Sequence, residues 1–349
     1  MSGTNISRRD FLKLGSAGLL GLAFSELGLE SALADAAAPT LGRVAYPSVA
    51  IYDRASLNGQ KIKDYPRDAV LNITAQVTGE DQKAYNPTWY RIGSEGYAYS
   101  GAIQPVQFSY NDPLDSVPAT GLLGEITVPY ADAYWAPDYH AKRAYRLYYE
   151  TTHWVQGILV GLDNNIYYDL YDDRLKVSYY APAWGIRAVP ADELTPLSTN
   201  VPPEKKFIEV SLSGQQMVAY EDGAPVFTAR VSTGRRWNPT PTGTFSTFHK
   251  RATRHMVGGD LAAPAYDLPG VPWVMFVVGG VSFHGTYWHN DYGTQHSAGC
   301  INMTAKDAKW LFRWAMPVLA PDKRWLYRPG EGTGVRVGAT FKFLEEEKP

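Results

Sequence analysis

SFHGTYWHNDYGTQHSAGCINM, residues 282–303, is the stretch that decides the fold. It holds the chain's single cysteine, Cys300, and three of its seven histidines, His284, His289 and His296. Just upstream, WVMFVVGGVSFHG (273–285) has the apolar density of one or two buried strands that deliver His284 at their end. Just downstream, Thr304 with Asp307 three positions later is a variant capping box. It predicts a helix from Ala305 to Ala315, which Pro317 helps to end. A strand, a loop and a helix start therefore bracket the thiol. The helix start favours negative charge at Cys300, and Gly299 lets a carbonyl approach the chain closely. A free thiol titrates at about 8.5, and a nearby imidazolium lowers that by several units, which makes the thiolate a nucleophile. Oxyanion donors are expected from the tight backbone around Gly299 and Cys300. Spacing alone does not establish contact between Cys300 and His284. The competing use of the histidines, zinc binding by His284, His289 and His296 with Asp291, lacks a helical His-x-x-x-His and any paired-cysteine spacing. No metal or organic cofactor is expected.

One cysteine permits no intramolecular disulfide. Yet the chain starts like an exported one. Ser7-Arg8-Arg9-Asp10-Phe11-Leu12-Lys13 resembles the bacterial twin-arginine signature, an apolar run follows at 14–24, and Ala32-Leu33-Ala34 offers small residues for cleavage. The run is short for a transmembrane helix. Residues 1–34 are therefore expected to be a twin-arginine signal peptide, and the mature chain to be exported with no stable membrane span; it is also expected to be a monomer. A lone thiol sent into an oxidising compartment is a liability, which favours a job for Cys300. The net charge of −2 gives no basic footprint, so nucleic acid is not an expected partner.

The rest of the chain reads as β structure. Between 39 and 108, VAIYD, AVLNITAQV, WYRIG and GYAYSG are strand-like runs separated by turn residues, resembling a small bacterial SH3-like barrel. Residues 109–200 partly repeat the theme. WYRI at 89 matches YYDL at 167, YAY at 97 matches YYA at 179, and IQPV at 103 matches IRAV at 186. A second, larger SH3-like unit is the expectation, with one continuous β-rich domain as the alternative. LTPLSTNVPPEKK (194–206) is a linker. Beyond it, Ile208, Val210 and Leu212 alternate with Glu209 and Ser211, the period of a half-buried strand. Asp222-Gly223 marks a hairpin turn. MVGGDLAAPAYDLPGVP (256–272) reads as a Gly- and Pro-rich loop, and His249 and His255, among Lys250, Arg251 and Arg254, as a solvated cluster. The predicted fold class is mainly β, with a sandwich-like last domain over 205–345 and a short helix after the cysteine.

The last domain resembles the catalytic domain of L,D-transpeptidases, the YkuD-type fold. The residues that carry the resemblance are His284, then Ser297-Ala298-Gly299-Cys300-Ile301-Asn302, with the hairpins of 208–234 and the Thr-Pro-Thr-Gly-Thr-Phe turn inside NPTPTGTF (238–245). The family's usual histidine before Gly-Cys is Ala298 here, while His296 lies two positions earlier. The resemblance implies that Cys300 attacks a peptide carbonyl, that His284 moves the proton, and that the Gly285 carbonyl holds the imidazole tautomer. It implies oxyanion donors at Gly299 and Cys300, with the Tyr266 hydroxyl as an addition. Trp288 and Tyr287 are expected as groove walls and Ser297 and Asn302 as loop fasteners, though the aromatic residues fit packing roles as well, and His289 is expected on the surface. The implied substrate and partner is peptidoglycan: a tetrapeptide stem as donor and a second stem as acceptor, giving a 3→3 cross-link. Water as acceptor makes the same site an L,D-carboxypeptidase. The remaining alternative is an inactive wall-binding protein.

Overall fold

The computed structural model describes residues 40–81, 85–260 and 263–341. The leader expected over 1–34 lies outside them. Among the described residues no helix is long and apolar enough to cross a membrane.

The chain is mainly β. Strands β1–β7 (Leu41–Val44, Ser48–Tyr52, Lys61–Pro66, Val70–Thr78, Thr88–Ile92, Gly96–Tyr99, Ile103–Val106) form a first seven-stranded sheet in the order 3-2-6-5-4-1-7. Strands β8–β14 (Leu122–Ile126, Tyr130–Tyr134, Arg143–Tyr148, Thr152–Val160, Ile166–Asp172, Val177–Pro182, Ile186–Ala188) form a second, ordered 10-9-13-12-11-8-14. Shifted by seven strands the two orders are identical. The loose sequence repeat is thus a repeat of topology: WYRI and YYDL sit on β5 and β12, YAY and YYA on β6 and β13. Each unit has its own apolar core, around Ile51, Ile73, Tyr90 and Ile103 in the first and Val155, Tyr168, Leu170 and Tyr179 in the second.

The third unit is two five-stranded sheets with one α-helix. β15 (Lys206–Ser211), β16 (Gln216–Glu221), β17 (Ala224–Arg230), β18 (Gly243–Ser246) and β24 (Gly334–Gly338) make one sheet. β19 (His249–Asp260), β20 (Ala263–Val278), β21 (Val281–Gly285), β22 (Ile301–Met303) and β23 (Trp325–Tyr327) make the other. Their inner faces enclose Ile208, Val210, Trp273, Met275, Phe283 and Ile301, and burial of such side chains contributes roughly 1.5–3 kcal/mol each. Leu123 and Trp154 of the second unit join this core, so the two units share packing. Asp222 and Gly223 both take positive φ, 48° and 78°, the geometry of a two-residue hairpin turn. Helix α1 (Ala305–Trp314) starts at Thr304, whose side chain accepts the Asp307 N–H at 3.0 Å. Its last carbonyls are met by buried ammonium groups: Lys250 donates to Phe312 and Ala315, and Lys206 donates to Trp314 at 3.1 Å.

Three expectations are corrected. β15 is buried on both faces, with Glu209 and Ser211 as buried as Ile208 and Val210, and the neighbouring parallel strand β24 places Arg336 3.3 Å from Glu209. Within the stretch expected as a loop, residues 256–260 and 263–272 are instead strand, in the paired arms of β19 and β20. Proline is tolerated there because β20 pairs with β21 only from Met275 onward, leaving the proline-rich arm one strand neighbour. His255 and Lys250 are buried instead of solvated. His255 sits between Asp172 of the second unit and Asp267 of the hairpin, so the basic cluster faces carboxylates rather than water.

Candidate active site

Two short parallel strands build the site. Phe283, His284 and Gly285 of β21 lie opposite Ile301, Asn302 and Met303 of β22. One step back along that register puts Ser282 beside Cys300, with Ser282 Oγ 3.7 Å from Sγ. Side chains two apart on a strand share a face, so Ser282 and His284 point the same way. The register therefore brings the His284 imidazole to the side of the sulfur, close enough for it to act on the thiol. Its Nδ1 lies 2.9 Å from the Gly285 carbonyl, which fixes the proton on Nδ1 and leaves Nε2 as the acceptor. His284 is buried and Cys300 is partly buried. Burial pushes the Cys300 thiol up, but the hydrogen bond and charge of His284, with hydrogen bonds from Ser282, outweigh it and leave the thiol below its usual range.

The turn that carries the sulfur is held from both ends. Gly299 has φ of 112°, a conformation suited to glycine. Its carbonyl accepts from Thr240 Oγ1 at 2.8 Å, and Thr240 in turn accepts the Gly234 N–H at 2.9 Å. Ser297 Oγ donates to the Cys300 carbonyl and accepts the Gly299 N–H at 3.1 Å. The Gly299 N–H, expected as an oxyanion donor, is therefore engaged, which leaves the Cys300 N–H for that task. Tyr266 is partly exposed, and its phenol is pushed up by burial and by the charge of Cys300. The Tyr266 ring lies over Gly258, where an added Cβ would come within 2.1 Å of Cε1.

The aromatic expectations divide. Trp288 is half-buried with its ring 5.7 Å from that of His284, at the site. Tyr287 is buried instead: its hydroxyl donates to Pro269 O at 3.0 Å and its ring stacks on Tyr148 of the second unit at 5.2 Å. It braces an interface between units. His289 is buried as well, 2% exposed, so the surface assignment is corrected. Asp291 N–H donates to its Nδ1 at 3.2 Å, so the neutral ring carries its proton on Nε2, which faces the Asn302 amide nitrogen position at 3.0 Å and is satisfied with that amide turned by 180°. Asn302 Oδ1 is the amide atom able to accept that proton. Burial, then the neighbouring His296, push His289 well below the usual imidazole range. Ala298 is exposed, and His296 turns from the sulfur to Asp291, 2.7 Å away. No group of three metal-ligating side chains forms among the described residues.

Sequence reasoning missed Thr240, Ser282 and the exposed Arg235-Arg236-Trp237 turn. Thr240 lies in the quoted Thr-Pro turn, so a signal was present. Ser282 becomes visible only through the parallel register.

Residues 205–337 match the family model for the L,D-transpeptidase catalytic domain, YkuD. No curated protein matches. Among solved structures, the chain is similar to an Ldtfm–avibactam carbamoyl enzyme at 28% identity over 40% of this chain and 50% of that one, with a TM-score of 0.32. It is similar to the catalytic domain from Enterococcus faecium L,D-transpeptidase at 28% identity over 39% and 98%, TM-score 0.31. It is similar to an L,D-transpeptidase from Mycobacterium smegmatis at 18% identity over 50% and 90%, TM-score 0.32. The chain spans about half the length of the first of these.

Proposed function

We propose that this chain is an exported L,D-transpeptidase that acts on peptidoglycan stem peptides through a Cys300 thioester. The observation that carries the reading is the parallel pairing of β21 with β22, which sets the Cys300 sulfur against His284 inside a segment that matches the catalytic-domain family. His284 takes the Cys300 thiol proton, and the thiolate adds to the carbonyl of the third stem residue. The C–N bond to the terminal D-alanine breaks, and His284 gives its proton to the leaving amine. The amine of a neighbouring stem then attacks the thioester carbonyl and loses a proton to His284. The C–S bond breaks, the thiol is restored, and a 3→3 cross-link remains. The Cys300 N–H and the Tyr266 hydroxyl stabilise the oxyanion in both halves. Cys300 keeps part of its surface exposed, while the buried imidazole keeps its tautomer. The two β units ahead of the catalytic domain serve in this reading as SH3-like wall-facing modules.

Incubation of the mature chain with disaccharide-tetrapeptides, read by mass spectrometry, tests this. Cross-linked dimers with release of D-alanine are expected. Tripeptide without dimer reassigns the chain to L,D-carboxypeptidase action. Neither product, together with no carbapenem adduct on Cys300, sinks the catalytic reading.

A further inference from the structure

The loop from Thr286 to Ser297, which joins His284 to Cys300, does not rest on its own domain alone. It is docked on the first β unit, far away in sequence. Asn290 N–H donates to Gly101 O at 2.9 Å, and its side chain reaches Tyr90 Oη at 3.2 Å. Tyr99 donates to Asp291 Oδ1 at 2.6 Å and Asn86 to the same oxygen at 3.2 Å. The Arg43 guanidinium reaches Tyr287 O at 2.5 Å, and Tyr46 Oη lies 3.4 Å from His296 Nε2. Gly101 is glycine for space, since a Cβ there would stand 2.8 Å from Asp291 Oδ1 and 2.9 Å from Asp291 Cβ.

Asp291 is where these contacts converge, and two routes lead from it to the sulfur. Through its carboxylate it holds His296, whose neighbour Ser297 binds both the Gly299 N–H and the Cys300 carbonyl. Through its backbone N–H it orients His289, which binds Asn302, the residue paired with His284. Ser297 and Asn302 stand on either side of Cys300. Burial pushes the Asp291 carboxyl up, but hydrogen bonds from His296 and Tyr99 outweigh it and keep it ionised, with Arg230 and Arg235 also near this cluster. We propose that Asp291 is a positioning residue through which the first β unit, by Tyr99 and the Gly101 clearance, sets the Cys300–His284 pair. The first unit is then part of the catalytic centre's support. The inference rests on Cys300 and His284 acting as the pair proposed above.

Because Cys300 is the only cysteine, iodoacetamide alkylation of the full chain reports that pair without any substrate. Its rate is followed against pH for wild type, Tyr99→Phe, Gly101→Ala and Asp291→Asn, with thermal unfolding as a check on folding. The wild-type midpoint is expected below that of a free thiol. In Gly101→Ala and Asp291→Asn it moves up by about one unit, so alkylation at pH 7 falls about tenfold, while Asp291→Glu recovers part of the loss. Tyr99→Phe, which keeps the ring, shows a smaller shift in the same direction and carries the test if Gly101→Ala does not fold. Superimposable profiles for folded Asp291→Asn, Tyr99→Phe and wild type overturn the inference. A shifted profile in a chain that no carbapenem acylates leaves the positioning role standing and removes the transpeptidase reading. Wild-type acylation with unshifted variants does the reverse.

Discussion

His284 stands directly opposite Asn302 on two parallel strands, and that register is what brings the imidazole to the cysteine two residues earlier. A shift of one residue would turn the side chains of one strand to the opposite face and separate imidazole from sulfur. The dyad is a product of strand pairing, with the long intervening loop fastened elsewhere.

The first prediction concerns the proton. His284→Gln retains a polar side chain of comparable length in the buried site but removes the group that accepts and returns a proton. Turnover of a tetrapeptide stem is expected to fall by about 10²–10⁴-fold, with the unfolding temperature little changed. The alkylation midpoint of Cys300 rises at the same time, because the imidazole is the main group that lowers it. A near-normal rate in the folded variant takes His284 out of the mechanism.

A second prediction separates the two oxyanion donors. With the Gly299 N–H bound to Ser297, the proposed mechanism pairs the Tyr266 hydroxyl with the Cys300 N–H. Tyr266→Phe keeps the ring on Gly258 and deletes only the donor. A loss of about 10²–10³ in kcat is expected, with KM changed little. Gly258→Ala reaches the same donor by another route, since its Cβ collides with the ring. Steady-state kinetics that show Tyr266→Phe equal to wild type would confine Tyr266 to a packing role.

Much of this was readable from the residues, and the unread parts share a cause. The Thr304 cap, the helix, the Asp222-Gly223 hairpin and the strand delivering His284 are local in origin: each follows from a few adjacent side chains. The burial of His255 and Lys250 was not readable, because Asp172 and the carbonyls of α1 stand far off in sequence, and that of His289 was not, because it depends on how the loop folds back on Asn302. His255 meets Asp172 across a unit boundary, and Lys250 is polar in the sequence yet spent on the carbonyls of α1. The proline-rich arm of β20 was misread for a related reason. Proline excludes a strand from the middle of a sheet, but no sequence pattern says that this arm has only one neighbour.

The Asp172–His255–Asp267 cluster makes stability depend on pH in a stated direction. Burial pushes the His255 imidazole down, but Asp172 and Asp267 outweigh it and leave it above 6.5. Burial likewise pushes Asp172 up, but its hydrogen bond and charge interaction with His255 outweigh it and hold it below 3.8. A raised histidine contributes stability that is complete below 6.5 and is lost as pH rises through the folded value. The depressed carboxylate contributes above 3.8 and loses its share as pH falls through its folded value. The cluster is therefore expected to stabilise most between these limits. Glu150, pushed up to about 7 by burial, also makes stability fall as pH rises toward neutrality, so the comparison must be with a variant. The unfolding temperature of His255→Gln minus that of wild type should be most negative near pH 5–6 and shrink toward pH 8. A difference that is flat across this range shows that the cluster is not a linked ion pair.

Thr240 offers the sharpest test of the turn beneath the sulfur. It is buried and uses one hydroxyl twice, donating to Gly299 O at 2.8 Å and accepting from Gly234 N–H at 2.9 Å. Thr240→Val keeps the shape and leaves two buried backbone groups without their partner, each at a cost of about 1–3 kcal/mol. Gly234 cannot move away to find another, because Asn238 O would lie only 2.3 Å from a Cβ at that position, so the chains are already in close contact. Gly299 holds φ of 112° against this anchor, so its loosening disturbs the Cys300 N–H as well. Denaturant unfolding should show Thr240→Val destabilised by about 2 kcal/mol or more, with carbapenem acylation slowed beyond what the lost stability explains. Thr240→Ser keeps the hydroxyl and should recover both. Recovery of stability without recovery of acylation would mean that the methyl group, and not the hydrogen-bonded anchor, shapes the turn.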